Sequence, residues 1–249
     1  MSKPWQHAII VGASSGIGEA IARQLASSGV RTALVARRAE ELARIADELN
    51  EAAGAQVAWA FAHDVTDTGA VPALFQTICR ELGGLDLIVY AAGVMPRIAP
   101  DEYPTETDIR TVQVNDLGAV AWLNEAAQRF GRAREGVIVG ISSVAGDRGR
   151  YAFPVYSASK AFLNTYLEGL RNRIGRYGVA VVTIKPGPVD TPMTRGQKMP
   201  LMISPQTAAE KILRAAARRK REAYVPGIWR LIMAIIRAVP SWIFMRRNI

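Results

Sequence analysis

Among its 249 residues the chain has one cysteine, Cys79. An intramolecular disulfide is thereby excluded, and the composition fits a reducing compartment. Histidine is nearly as scarce, with His7 and His63 alone. One thiol and two imidazoles cannot build a metal cluster of any familiar spacing, so no metal site is expected. There is no apolar run near the ~18 residues needed to span a bilayer. The opening Met1-Ser2-Lys3-Pro4-Trp5-Gln6-His7 lacks an apolar core and cleavage site, which predicts no signal peptide and hence a cytoplasmic protein. Low-complexity linkers and internal repeats are absent. Acidic residues are missing from one region above all: between Pro205 and Ile249 ten lysines and arginines face only Glu210 and Glu222. That segment therefore carries +8 of the net +9. The basic excess is interleaved with apolar residues and accompanies no nucleic-acid motif, which argues against nucleic acid as the partner.

What is present suffices for one large domain. Hydrophobic residues make up 49% of the chain, and the length allows a well-buried core without room for two generous domains. Apolar runs at His7–Val11, Arg31–Ala36, Val57–Ala62, Leu85–Tyr90, Gly136–Ile141, Val179–Lys185 and Ala223–Val225 read as strands. Helical patterns alternate with them, including Ala39–Ala53, Asp67–Leu82 and a long stretch from Glu106 to Phe130 broken only by Gly118. The alternation predicts an α/β fold with a doubly wound parallel sheet of about seven strands and helices on both faces. Residues 1–226 form this domain in our reading, and 227–249 form a basic amphipathic C-terminal segment.

The first strand runs directly into Gly12-Ala13-Ser14-Ser15-Gly16-Ile17-Gly18 and then a helix. Strand, glycine loop and helix together make a phosphate-binding hypothesis, because the backbone can approach a pyrophosphate and the helix N-terminus offers amide donors. The second strand ends at Ala36 followed by Arg37-Arg38. An acidic residue that would hold a ribose 2′-hydroxyl is missing, and guanidinium groups that suit a 2′-phosphate stand there instead, which favours NADP(H) over NAD. Alternatively, the two arginines simply open the next helix. Asp64, after the third strand, is placed to accept from an adenine amino group. Ala91-Ala92-Gly93 closes the fourth strand with side chains small enough for a cofactor to lie against the backbone. Asn115 lies in mid-helix, where it is exposed, marks a bend, or works. Ser142-Ser143 ends the fifth strand, on the edge where ligands bind in parallel sheets. Tyr156 and Lys160 lie at i and i+4 of one helix, a proton donor beside a cation that favours its phenolate. From Pro186 to about Pro200 the chain lacks periodicity, as a lid does.

In order and spacing, Gly12, Gly16, Gly18, Asp64-Val65, Ala92-Gly93, Asn115, Ser143, Tyr156, Lys160 and Pro186-Gly187 resemble the short-chain dehydrogenase/reductase family over roughly residues 7 to 226. The resemblance implies a Rossmann-like fold and an NADP(H)-dependent oxidoreductase, assembled as a homodimer or homotetramer. It selects Ser143 over Ser142, since thirteen positions separate the former from Tyr156. It implies that Ser143 orients a substrate carbonyl, Tyr156 supplies the proton, Lys160 lowers the tyrosine's pKa and holds ribose hydroxyls, and Asn115 bends its helix to hold a water. The implied cofactor contacts are Gly12, Ser14, Ser15, Gly16, Ile17, Gly18, Arg37, Arg38, Asp64, Val65, Ala92, Gly93, Tyr156, Lys160, Pro186, Gly187, Val189 and Thr191, the last on the nicotinamide carboxamide. Two departures stand out: Val11 where threonine is usual, and Tyr90-Ala91-Ala92-Gly93 in place of an asparagine-containing stretch. Together they weaken a hydrogen bond bracing the first loop to the fourth strand. The competing class is a non-catalytic NADP-binding sensor or scaffold, but such proteins lose the tyrosine or lysine, and both are present.

Pocket walls are expected from Met95, Val144, Phe153, Pro188, Met193 and the loop onward to Met202. They are mostly apolar and suit a lipophilic carbonyl or alcohol. Arg148 and Arg150 stand at the rim and read as solvated loop arginines in preference to an anion site. In the tail, Ile228, Leu231, Ile232, Ile235, Val239, Trp242 and Ile243 recur at helical spacing opposite Arg230, Ala234, Arg237 and Ser241. Three placements stay open for residues 228–249: in the plane of an anionic membrane surface as a peripheral anchor, against a second subunit, or over the substrate pocket.

Overall fold

The computed structural model describes residues 4–99, 101–197 and 199–246. Seven strands form one parallel sheet: β1 (His7–Val11), β2 (Arg31–Ala36), β3 (Ala58–Ala62), β4 (Leu87–Tyr90), β5 (Val137–Ile141), β6 (Ala180–Pro186) and β7 (Glu222–Val225). Their spatial order is β3-β2-β1-β4-β5-β6-β7. β1, β2, β4 and β5 are buried almost throughout, as their unbroken apolar runs require of a sheet covered on both faces.

Helices α1 (Gly16–Ser27), α2 (Ala39–Ala53) and α7 (Pro205–Ala217) pack their apolar stripes on one face through Ile21, Leu25, Leu42, Ile45 and Ile212. Helices α3 (Val71–Leu82), α5 (Gly118–Ala133) and α6 (Pro154–Ile174) cover the other through Phe75, Ile78, Trp122, Leu163 and Leu167. Each fully buried leucine or isoleucine here stabilises the fold by roughly 1.5–3 kcal/mol. The chain winds outward from β1 in both directions, so the carboxyl ends of β1 and β4 flank the crevice where such sheets take ligands.

The region from Glu106 to Phe130 is not one helix broken at Gly118. The structure divides it into α4 (Thr105–Val112), a π-helical turn at Gln113–Leu117, and α5. Tyr90 explains the turn. Its phenol, buried in β4, donates to the Val114 carbonyl at 2.6 Å, and Gly118 leaves room where any Cβ would lie 2.5 Å from that oxygen. The side chain that replaces the usual asparagine thus braces the helix kink. α3 begins at Val71, later than Asp67, because Asp64 and Asp67 first turn the chain: the Asp64 carboxylate accepts from the Thr66 amide and the Asp67 carboxylate from the Ala70 amide.

The tail forms α8 (Trp229–Ala238) and α9 (Ser241–Arg246). Trp229 and Met233 are buried against Val144, with Ile232, Ile236 and Tyr224 beside them. The expected apolar stripe is the other one: Ile228, Leu231, Ile235 and Trp242 are 49–61% exposed. The polar stripe of α8 is narrow and apolar residues flank it on both sides, so periodicity alone cannot tell which flank meets the protein. Arg247 to Ile249, also part of the expected segment, lie outside the described residues.

Candidate active site

The glycine loop follows β1 and wraps the start of α1. Gly12 has φ of 93° and its Cα faces the Ala92 backbone so closely that a Cβ would lie 2.5 Å from the Ala92 nitrogen. Only glycine satisfies both demands. The loop, the strand ends and the segment after β6 enclose a cavity of about 780 Å³. Along one side lie Gly12, Ser14, Ser15, Gly16, Ile17, Gly18, Arg37, Arg38, Val65, Ala92 and Gly93, and Pro186, Gly187, Val189 and Thr191 close it from the other.

The arginines differ in state. Arg38 folds over the loop, its Nη2 donating to the Ser14 carbonyl at 2.8 Å and to Ser14 Oγ at 2.9 Å. Arg37 is 57% exposed and 4.0 Å from Asp64. Asp64 lies outside the cavity wall, its Oδ1 accepting from Thr66 and its Oδ2 from Arg110 at 2.8 Å. Burial works against its ionisation, but the Thr66 amide and the Arg110 guanidinium outweigh that and hold the carboxyl at about 2. A backbone cradle that a Cβ would fill, with cations beyond it, fits the phosphates and ribose of a dinucleotide.

At the carboxyl end of β5, Ser143 is extended and opens a 3₁₀ turn, its Oγ accepting from the Ala145 amide at 3.1 Å. Ser142 is turned away and donates to the Lys160 carbonyl. The turn is anchored from below by Asp147, which binds the Lys185 ammonium at 2.8 Å and the Tyr224 hydroxyl at 2.7 Å. Pro154 sets the first turn of α6, and Tyr156 and Lys160 project from it into the cavity beside Ser143.

The expected effect of Lys160 on the tyrosine sits beside a second influence, the surroundings of the phenol. Enclosure raises the phenol's pKa, opposed in part by a hydrogen bond with Ser143. The Lys160 ammonium lies 5.6 Å from the ring centroid and donates to the Ile141 carbonyl at 3.1 Å. Burial lowers the lysine to about 8, with the Asp116 carboxyl opposing the shift. Asn115 does not line the cavity. From the π-helical turn its Oδ1 accepts from the Val94 amide at 2.8 Å, and its Nδ2 donates to the Val94 carbonyl and to Ser159 Oγ. It ties the segment after β4 to α6 at Ser159, next to Lys160 in sequence.

Met95, Val144, Phe153, Pro188 and Met193 all line the cavity. Sequence reasoning missed Trp229, which arrives from α8. Its ring lies so tightly on Gly187 that a Cβ there would fall inside it, and the glycine after Pro186 was the one available signal. The rim arginines are not solvated loop residues. Arg148 donates to the Ile236 and Val239 carbonyls at the end of α8, each at 2.6 Å, and lies 4.0 Å from the Phe244 ring. Arg150 is half-buried in the cavity wall. Among the described residues no group of three or more metal-ligating side chains occurs.

Residues 6–200 match the family model described as short chain dehydrogenase. An uncharacterized oxidoreductase from Myxococcus xanthus is 35% identical over 229 residues, spanning 91% of this chain and 89% of that protein. Another, from Staphylococcus epidermidis, is 33% identical over 189 residues, 76% of this chain and 80% of that one. Among solved structures, an actinorhodin polyketide ketoreductase with NADPH superposes with a TM-score of 0.79 at 27% identity, covering 90% of this chain and 97% of that one. A short-chain dehydrogenase from Sphingobium yanoikuyae in complex with NADPH, at 24% identity, shares the fold with a TM-score of 0.81 over 94% of this chain and 96% of that one. With the glycine cradle, the strand-end serine and the tyrosine and lysine of α6 gathered on one cavity, the chain belongs to the short-chain dehydrogenase family, whose members are oxidoreductases that use a nicotinamide cofactor.

Proposed function

We propose that the protein is an NADP(H)-dependent oxidoreductase that interconverts a lipophilic carbonyl compound and its alcohol, with Tyr156 as the general acid and base. The observation that carries this reading is that Ser143, Tyr156 and Lys160 open on the same cavity as the glycine loop and Arg37-Arg38. When bound, NADPH supplies the hydride. Ser143 donates to the substrate carbonyl oxygen and fixes its orientation, and Tyr156 transfers its phenolic proton to that oxygen as the carbon is reduced. A phenol is protonated near neutral pH, as the acid of a reduction must be. Lys160 holds ribose hydroxyls and passes a replacement proton inward, and Asn115 keeps α6 in register. With Ala36 in place of an acid at the end of β2, Arg37 and Arg38 favour the 2′-phosphate. Thr191, within van der Waals reach of Gly16 across the cleft, meets the nicotinamide end. A cytoplasmic location and a homodimer or homotetramer belong to the same reading. Ile109, Val112 and Leu117, exposed along α4 and the π turn, support self-association.

The test is NADPH oxidation, followed by absorbance loss, over a panel of ketones, aldehydes and fatty or steroid-like carbonyls. Tyr156→Phe is expected to keep NADPH binding and lose at least ~100-fold in kcat. Turnover near wild type would assign the proton to another acid. NADPH is expected to bind far more tightly than NADH, with a narrower gap in Arg37→Gln and Arg38→Gln, and equal affinities in the native protein would overturn the cofactor assignment.

A further inference from the structure

We propose that Arg150 receives an anionic end of the substrate, so that the pocket takes an oxo acid, or the matching hydroxy acid, whose carboxylate is separated from the reacting carbon by an apolar body. The inference rests on reading the cavity as a site for a lipophilic carbonyl, and it narrows that class.

Arg150 lies in the loop between Ser143 and Tyr156 and lines the same cavity as both. Its Nε is buried without a partner. Among the described residues its Nη2 reaches only the Met233 sulfur, at 3.8 Å, a weak acceptor. Among the described residues it forms no ion pair. Asp147, the nearest acid in sequence, is already held by Lys185 and Tyr224. The neighbouring Arg148 shows what a structural arginine in this loop looks like, with its guanidinium on the carbonyls that end α8.

Burial lowers the affinity of the Arg150 guanidinium for its proton, and no carboxylate offsets this. The group stays charged nevertheless. A half-buried, uncompensated cation is unfavourable unless a ligand brings the opposite charge. The planar fork matches a carboxylate bidentately, while Val144, Phe153, Met193 and Trp229 line the cavity that Arg150 shares with Tyr156 with apolar surface.

The experiment titrates the full-length protein, with NADP⁺ present, with dodecanoate and with dodecanamide by calorimetry. The carboxylate is expected to bind about tenfold tighter or more. Arg150→Gln should remove the difference and Arg150→Lys should keep part of it, with circular dichroism checking that each variant is folded. A parallel arm compares kcat/KM for an oxododecanoate and its methyl ester with NADPH, where the acid should be preferred by a similar factor that collapses in Arg150→Gln. Equal affinity of the native protein for dodecanoate and dodecanamide overturns the proposal, as does a preference that survives in Arg150→Gln. If no carbonyl is turned over, the oxidoreductase reading fails, and the titration still decides the carboxylate site.

Discussion

Tyr156 and Lys160 are four residues apart on one helix, and that proximity alone does not set their proton affinities. Enclosure acts on both, and it acts on Asp116 as well. Asp116 is 5% exposed, its Oδ1 has no partner, and burial pushes its carboxyl to about 7 with Lys160 pulling the other way. The folded protein therefore keeps a proton on Asp116 between about pH 4 and 7 that the unfolded chain releases, so stability falls as pH rises through that window. Lys160, lowered to about 8, acts oppositely at higher pH, where the unfolded chain holds the proton. Urea denaturation of wild type and Asp116→Asn at pH 4.5 and 7 should show the wild type losing on the order of 1–3 kcal/mol relative to the variant, at about 1.4 kcal/mol per tenfold change in proton affinity. Parallel pH dependences would show that the carboxyl is ionised throughout. Ser143, Tyr156 and Lys160 were legible in the sequence because one strand end and one helix face carry them. The burial that raises the phenol's pKa was not, because desolvation depends on walls contributed by distant segments.

At the scale of elements, α8 and the loop after β6 depend on each other through Gly187 and Trp229. A Cβ on Gly187 has no space against a buried indole that cannot swing away. Gly187→Ala is expected to destabilise the protein by about 1–3 kcal/mol through overpacking. On a Trp229→Ala background the same substitution should cost little. Thermal or urea unfolding of the four proteins in a double-mutant cycle measures the coupling, and additive effects would mean that the two residues do not press on each other. The strand and helix alternation was readable because buried parallel strands are continuous apolar runs. A bend at Asn115 was among the readings open from sequence, but the π turn was not legible because one contact that braces it, the Tyr90 hydroxyl on the Val114 carbonyl, joins residues 24 apart.

Across the whole molecule, charge and apolar exposure coincide on the outer side of α8 and α9. Leu231, Ile235, Trp242 and Met245 are 58–73% exposed, flanked by exposed Arg230, Arg237 and Arg246, and no helix among the described residues is long and apolar enough to cross a membrane. Apolar insertion and attraction to anionic headgroups act together on such a surface. The native protein is expected to sediment with phosphatidylserine-containing vesicles at low salt, to release at high salt, and to lose binding in Leu231→Glu/Ile235→Glu. Unchanged sedimentation after removal of residues 228–249, or loss of an oligomer in place of vesicle binding in the double variant, would assign the surface to something other than lipid.

The sequence by itself determined the sheet and the glycine loop, because each follows from local patterning within one or two adjacent elements, and its resemblance to a known family picked out Ser143, Tyr156 and Lys160. Tertiary structure decided which side of α8 faces the protein, that Trp229 walls the cavity, and that Arg148 is bound while Arg150 has no counter-ion among the described residues. The reason is physical: a narrow polar stripe leaves two apolar flanks of a helix to choose between, and an arginine's partners are chosen by whatever distant chain the fold brings beside it.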